Sequence, residues 1–516
     1  MSGASRNNFR VTPNSEQVPI QIVGSNTYGR YQKIGSGETF NMFISDDWLI
    51  NTAGYQRLAD FVEGALGAGR GLFHSVRGNL VLAVVNSAVY LIDAALTITQ
   101  IGSIASTSGE VFMDENLNSQ IAIVDGLNLY IYNYDLGGAP VVQTGGPLGS
   151  TLIPNYVSFH NTFFNIGNAV TDSNGAGWYT YGFASATTVS LVSMQTLSTK
   201  PDNAIAVKRL PGQSSNVIVF GKSVCEVWTQ VGGLQNYRRN STINIDYGCA
   251  STSTIASGDL YTAWLAINEN NTPVIMIYSG QGVERISTDG IDYLLQTVQF
   301  PSQSTAEFYR QDGHLFYQLT FYNAADDFTL LYDLNTKKFF TLTDQYGSCH
   351  PARQIVYLGS RVLFISLKNA ALYESATSIT NYNENISTAI QNPLLAFHIP
   401  RRRICESIRK PDSGRFIANS CTFTMAQGDD PNVTGISIAQ NAAAGTIGYR
   451  PRVDMRISYD SGITWSNTDS RNLNALGNRQ NIITFGKLGA CNDLTIEFEF
   501  WGNSYFAVSD GFVEVY

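Results

Sequence analysis

The chain has 516 residues, enough for two or three domains with well-buried cores. Only 14% of its residues are charged against 44% hydrophobic, and a formal net charge of −9 gives the chain as a whole no basic footprint for gripping nucleic acid. No run approaches the roughly 18 apolar residues of a membrane helix, and the polar stretch Met1 to Arg10 lacks the apolar core of a secretory signal.

Residues 1–50 are polar, lack a core of their own, and read as an N-terminal arm ordered against another part of an assembly. Tyr55 to Leu66 is the exception in a chain nearly devoid of helical periodicity, and predicts a short helix. From there on, short apolar or alternating runs are separated by Gly, Asn, Asp and Ser, which reads as strands and turns. They recur in units: Asn79 to Asp93, Asn118 to Asp135, Tyr156 to Tyr181, Asn203 to Trp228, Tyr261 to Thr288, Glu307 to Thr343 and Arg353 to Glu374. Unit starts lie about 40 to 55 residues apart, the period of four-stranded propeller blades. The physical logic is that one blade cannot bury both of its faces, whereas blades stacked around an axis bury each other. The expected fold is therefore all-β, a β-propeller of six or seven blades over residues 51–385, with Asn51 to Phe73 helping to close the ring. Stacked β-sandwiches are the rival arrangement.

A polar stretch from Asn381 to Asn392 marks a break, and residues 386–516 read as a separate, sandwich-like C-terminal β-domain. Its expected strands are Phe416 to Met425, Arg452 to Tyr459, Ile482 to Phe485 and Leu494 to Trp501, with Asn432 to Gly448 as a long loop.

No catalytic, cofactor or metal set emerges. The six cysteines form no C-x-x-C pair and read as free buried thiols of a protein made in a reducing compartment. The five histidines form no H-E-x-x-H or H-x-H motif. The Gly-rich stretch Gly64 to Gly71 lacks the G-K-[ST] of a phosphate loop and reads as a turn. Asp46-Asp47 and Asp429-Asp430 are acidic pairs in loops, expected to be solvated. The most specific motif, Ser458-Tyr459-Asp460-Ser461-Gly462-Ile463-Thr464-Trp465, fits the Asp-box pattern S-x-D-x-G-x-T-W, in which Ser458, Asp460, Gly462, Thr464 and Trp465 stabilise a hairpin turn. The same pattern occurs in sialidases, so a glycan-binding or glycan-cleaving propeller is the alternative function. The basic residues Arg401, Arg402, Arg403, Arg409 and Lys410 form the one strong positive cluster. They read either as a contact to nucleic acid or an acidic partner, or as charge that blocks pairing at a strand edge.

Several patches, in order, resemble the packaged-DNA stabilisation, or tail hub/nozzle, proteins of short-tailed bacteriophages. They are Glu38-Thr-Phe-Asn41-Met-Phe-Ile with Asn51-Thr-Ala-Gly54-Tyr; Arg70-Gly71-Leu-Phe-His74 with Gly78-Asn79-Leu80; Phe220 to Trp228 with Gly248-Cys249-Ala250; and Asp312-Gly313-His314-Leu315-Phe316-Tyr317 with Leu331-Tyr332-Asp333. The resemblance runs from about Pro13 to Ser375 and is weaker in the C-terminal region. It implies a non-enzymatic virion component, assembled in the host cytoplasm. Six copies would form a ring below the portal and its adaptor, holding the genome in and later conducting it out. The implied partners are further copies of itself, tail adaptor and portal proteins, fibre, spike or needle proteins, and genomic DNA in transit, without membrane insertion or cofactor. A third reading is a cellular propeller scaffold, which predicts a stable monomer.

Overall fold

A computed structural model describes residues 15–28, 37–61, 67–169, 177–232, 236–280, 282–386, 392, 395–427, 451–473, 480–502 and 505–516. They fall into two units, Thr52–Ile399 and a second composed of Met1–Asn51 with Pro400–Tyr516.

The first unit is a seven-bladed propeller, each blade an antiparallel sheet of four strand positions. Blade 1 is Gly69–Ser75, Leu80–Val85, Ala88–Ile92 and Ile98–Ser103, innermost strand first. Blade 2 is Phe112–Glu115, Gln120–Val124, Leu129–Asn133 and Val141–Val142; blade 3 is Pro154–His160, Phe163–Asn168, Trp178–Ser185 and Thr188–Gln195. Blade 4 is Ala206–Arg209, Asn216–Phe220, Cys225–Gln230 and Tyr237–Ile245. In blade 5 the innermost strand is interrupted, Gly248–Cys249 and Ala256–Gly258 both pairing with Tyr261–Ile267, followed by Pro273–Tyr278 and Val283–Arg285. Blade 6 is Ser304–Gln311, His314–Tyr322, Asp327–Asp333 and Lys338–Leu342. All seven sequence units are thus blades.

The core lies in the seams between blades. Leu72, Val81 and Val85 meet Val356, Leu363 and Ile365 across the junction of blades 7 and 1, and Leu82 and Val84 meet Ile121 and Ile123 across the next. This explains the unbroken apolar run of Leu80–Val85, which is buried at every position because both of its faces are covered. Each fully buried Val, Leu or Ile contributes about 1.5–3 kcal/mol relative to exposure, so the seam, rather than the hairpin, is the unit of stability.

Blade 7 consists of Ala352–Leu358, Arg361–Ser366, Ala371–Ala376 and, from the other end of the propeller chain, Gly54–Asp60. The register sets Ala376 opposite Gly54, Ser375 opposite Tyr55 and Ala371 opposite Asp60. The helix expected over Tyr55 to Leu66 is therefore corrected to a strand as far as Asp60; residues 62–66 lie outside the described set. The reason is tertiary: a short helix pays a nucleation cost, whereas the open edge of blade 7 supplies a ready ladder. Tyr55 seals it, 1% exposed and stacked on Tyr382 with ring centroids 4.4 Å apart. Gly54 is needed there because a Cβ would come within 2.2 Å of the Asn381 carbonyl oxygen.

The second unit is a β-sandwich. One sheet runs Met42–Ser45, Trp48–Asn51, Phe506–Val515, Phe416–Gln427 and Asn481–Cys491, with Glu16–Ile20 also paired to Phe506–Val515. The other runs Glu38–Phe40, Arg401–Ile404, Thr495–Trp501, Arg452–Ser458 and Asp469–Asn472. Aromatic rings join the sheets: Phe423 meets Phe498 edge-on at 5.1 Å, and Phe485 lies 6.2 Å from Phe498. Asp46 and Asp47, at φ 47° and 62°, form the two-residue turn between the strands Met42–Ser45 and Trp48–Asn51. The expected loop Asn432 to Gly448 and the pair Asp429-Asp430 lie outside the described residues.

Candidate functional site: the propeller axis

The innermost strands of the seven blades surround an axial cavity of about 480 Å³. Its walls are mixed. Leu72, Val111, Ile255 and Val356 supply apolar surface, and Glu110, Asp114, Lys208 and Glu307 project charge from blades 2, 4 and 6. Arg353, from blade 7, lies beside them, its Nη1 3.7 Å from Glu110 Oε2. Gln354 Nε2 donates to Glu110 Oε1 at 3.2 Å. Asp114 accepts from the backbone N–H of Phe159 at 2.7 Å and of Glu115 at 2.8 Å. The Lys208 Nζ lies 5.7 Å from the Tyr156 ring centroid. Glu307 makes no hydrogen bond among the described residues.

The electrostatics follow from this crowding. Burial pushes the Glu307 carboxyl up to about 8, the Glu110 charge pushes the same way, and Lys208 opposes. Burial also holds Glu110 and Asp114 above the usual carboxylate range, against the pull of Arg353 and Lys208 respectively. Burial alone would lower Lys208, but Tyr156, Asp114 and Glu307 outweigh it and keep the ammonium charged. His74, on the same wall, is held below the usual histidine range by burial. The chemistry available is cation binding and proton holding. Among the described residues, no three His, Cys, Asp or Glu side chains are grouped to hold a metal, and all six cysteines are buried and free.

None of the axial residues stands out in the sequence. The usable signal is charge at innermost-strand positions, Asp114, Lys208, Glu307 and Arg353, which belong to four different blades and converge only once the ring closes.

The expected basic cluster does not stay together. Arg401 to Ile404 is a strand, so alternate side chains face opposite ways. Arg401 and Arg403 point inward, 0% and 1% exposed. Arg401 Nη1 donates to the Gly502 carbonyl at 2.9 Å; Arg403 donates to the carbonyls of Gln21 and Ser25 and to Thr39 Oγ1, each at 3.1 Å. Neither guanidinium can reach a partner in this fold. Arg402 is half-buried over the Phe40 ring at 4.1 Å, Lys410 is half-buried, and Arg409 is exposed but bonded to Asp493 Oδ2 at 2.7 Å and Ser461 Oγ at 2.8 Å.

The Asp-box is a turn between the strands Arg452–Ser458 and Asp469–Asn472. Asp460 accepts from Thr464 N at 2.8 Å, Thr464 Oγ1 at 2.6 Å and Ser458 Oγ at 2.6 Å, which holds its carboxyl down at about 2. Gly462 sits at φ 89°, and its N–H donates to Ser458 Oγ at 2.9 Å. Trp465 is half-buried, with Arg456 5.7 Å from its ring.

Seven four-stranded blades closed by a strand from the other end of the propeller chain define the class as a β-propeller. The family profile described as "Phage_stabilise: Bacteriophage P22 Gp10, beta-propeller" matches residues 38–379, about two thirds of the chain, and the chain belongs to that family of phage tail-nozzle propellers. It is accordingly a structural phage protein. No curated protein sequence matches it. Among solved structures it is similar to the WD40 β-propeller domain of Doa1 (12% identity, 62% of this chain and 96% of that one, TM-score 0.39). It is also similar to a streptogramin B lyase (12%, 64% and 99%, 0.40) and to an inactive virginiamycin B lyase from Staphylococcus aureus (12%, 63% and 99%, 0.43). At these scores none of them bears on what this chain does.

Proposed function

We propose that this chain is the nozzle of a phage tail: a ring, six copies in number, that sits below the portal and adaptor, retains packaged DNA and conducts it out on ejection. The observation that carries this reading is family membership over residues 38–379. Charge placement supports it. The propeller, 52–399, holds 25 acidic and 16 basic side chains and so carries the whole formal net charge of −9, while the sandwich unit holds 16 of each. An acidic body repels a passing polyanion instead of trapping it, and the two most buried arginines of the basic run are spent on the interior. A closed ring requires a heterologous interface between copies. Fibre, spike or needle proteins below and adaptor above complete the expected set of neighbours, in a particle assembled in the host cytoplasm. Docking to the adaptor falls to Arg402, Arg409 and Lys410.

The test is cryo-electron microscopy of the particle that carries this chain, averaged about the tail axis. A six-fold ring of propellers below the portal, with DNA or a plug inside, is the expected result. Peripheral trimers or spikes would overturn it.

A further inference from the structure

We propose that the rim of blades 2 and 3 forms one side of the contact between neighbouring copies of this chain. The first observation is a gap in the charge. Residues 136–199 contain a single acid, lysine or arginine, Asp172, which lies outside the described residues, whereas 14% of the whole chain is charged. The gap spans the last strand of blade 2 and the whole of blade 3.

The fold gathers the apolar side chains of this stretch at the rim. The outermost strand of blade 3, Thr188–Gln195, has 8 residues and no charge. Leu191 stands opposite Tyr181 and Met194 opposite Tyr179, and both tyrosines are buried in the seam with blade 2. Leu191 and Met194 therefore carry that seam outward into solvent, with Phe183 on the neighbouring strand and Val192 at the bulge. Blade 2 continues the surface. Gln143 Nε2 donates to the Thr187 carbonyl at 3.0 Å, and its Oε1 accepts from Val189 N at 3.1 Å, which seats Val141 and Val142 beside the start of the same strand. These six apolar residues are between 39% and 49% exposed. Together they present on the order of 400 Å², as large as the largest apolar patch of a typical monomer and about half of what each side of a stable interface covers.

The other blades protect their outermost strands. Those of blades 4 to 7 carry Arg238 and Arg239, Glu284 and Arg285, Lys338, and Arg57 with Asp60, respectively. That of blade 1, Ile98–Ser103, keeps both of its isoleucines half-buried. Charge on an edge strand is what prevents its association with another chain, and blade 3 has none. The partner follows from the same absence. DNA, or any protein selected by its charge, finds nothing to hold on this face. A second copy is the opposite case: each propeller carries a formal −9, so two copies repel unless they meet where charge is missing. Interface centres are depleted of charge in the same way. In a closed ring the facing surface is a different patch of the neighbouring copy.

This inference rests on the ring reading, and the two can fail separately. The experiment places a photo-reactive benzophenone side chain at Leu191, Val192 or Met194 in turn, in the assembled particle that carries this chain. Irradiation should join the chain to a second copy of itself. A product with a different virion protein, or no product from any of the three positions, would overturn the proposal and leave a ring seen by axial averaging standing. Peripheral trimers or spikes in the averaged particle would overturn the ring reading, whichever product forms. A second measurement uses the double variant Leu191→Asp, Met194→Asp. Both side chains are already part-exposed, so the purified chain should keep its thermal midpoint, while its incorporation into particles falls about tenfold or more. Incorporation equal to that of the parent would overturn the proposal; if the variant melts early, the crosslink alone decides.

Discussion

The propeller and the sandwich solve the same problem, an all-β chain with edges to cover, by opposite uses of the chain ends. The propeller borrows one strand, Gly54–Asp60, to complete its seventh blade, and the remaining blades are local hairpins. The sandwich is assembled from both ends: Glu16–Ile20, Glu38–Phe40, Met42–Ser45 and Trp48–Asn51 pair, directly or through a neighbour, with strands beyond residue 400. The two units also treat charge differently. The propeller keeps an acidic excess, whereas the sandwich is neutral and buries two arginines, of which Arg403 pins the N-terminal segment. Long-range closure therefore rests on apolar stacking in one unit and on charge-assisted hydrogen bonds in the other, and mutations can separate the two.

The largest effects should come from two buried rings, one at the propeller closure and one between the sandwich sheets. Tyr55→Ala removes a 1%-exposed ring that meets Tyr382, Phe364 and Tyr373, and Phe498→Ala removes a fully buried ring between the sandwich sheets. Each should cost about 3–5 kcal/mol in chemical denaturation. A loss below about 1 kcal/mol for Tyr55→Ala would mean that the propeller stays closed without its borrowed strand.

Next in size is the arginine pair that tests the other mode of closure. Arg403→Met leaves the Gln21 and Ser25 carbonyls without their donor and should cost about 2–4 kcal/mol. Arg402→Met, one residue away on the opposite face, should change stability by no more than about 0.5 kcal/mol. Equal effects in denaturation would erase the distinction between the two faces of this strand.

These residues also mark how far the sequence could be read. The blades were legible because each is local: Lys338 to Leu342 was expected and found, and so were the strands beginning at Phe416 and Arg452. That residues 51–73 help to close the ring was legible too, and what stayed hidden was the local form that distant pairing imposes. The stretch from Tyr55 has an apolar spacing that suits a helix, and only the vacant edge of blade 7 makes it a strand. Arg401 to Arg403 looks like a surface patch until strand alternation and an N-terminal partner turn two of the three inward. The axial carboxylates were passed over because Asp114 and Glu307 are nearly two hundred positions apart and meet only around a closed ring. The hydrogen bonds that Asp460 and Gly462 make in the Asp-box turn all lie within the motif, and that turn is readable from the sequence.

That locality makes the Asp-box the gentlest probe of the contrast. Asp460 is solvent-facing, and its work is confined to one turn, so Asp460→Ala should lower the thermal midpoint modestly at neutral pH while leaving both closures intact. The pH dependence identifies the cause. Asp460 has its folded-state value lowered to about 2 from an ordinary value of 3.8. Its stabilisation is therefore fully present above about pH 4 and is lost as pH falls toward 2, where the native carboxylate takes up its proton. Thermal melts of the parent and Asp460→Ala should differ at pH 7 and converge near pH 2. A difference that persists undiminished in acid would assign the effect to the altered turn backbone instead of to the carboxylate.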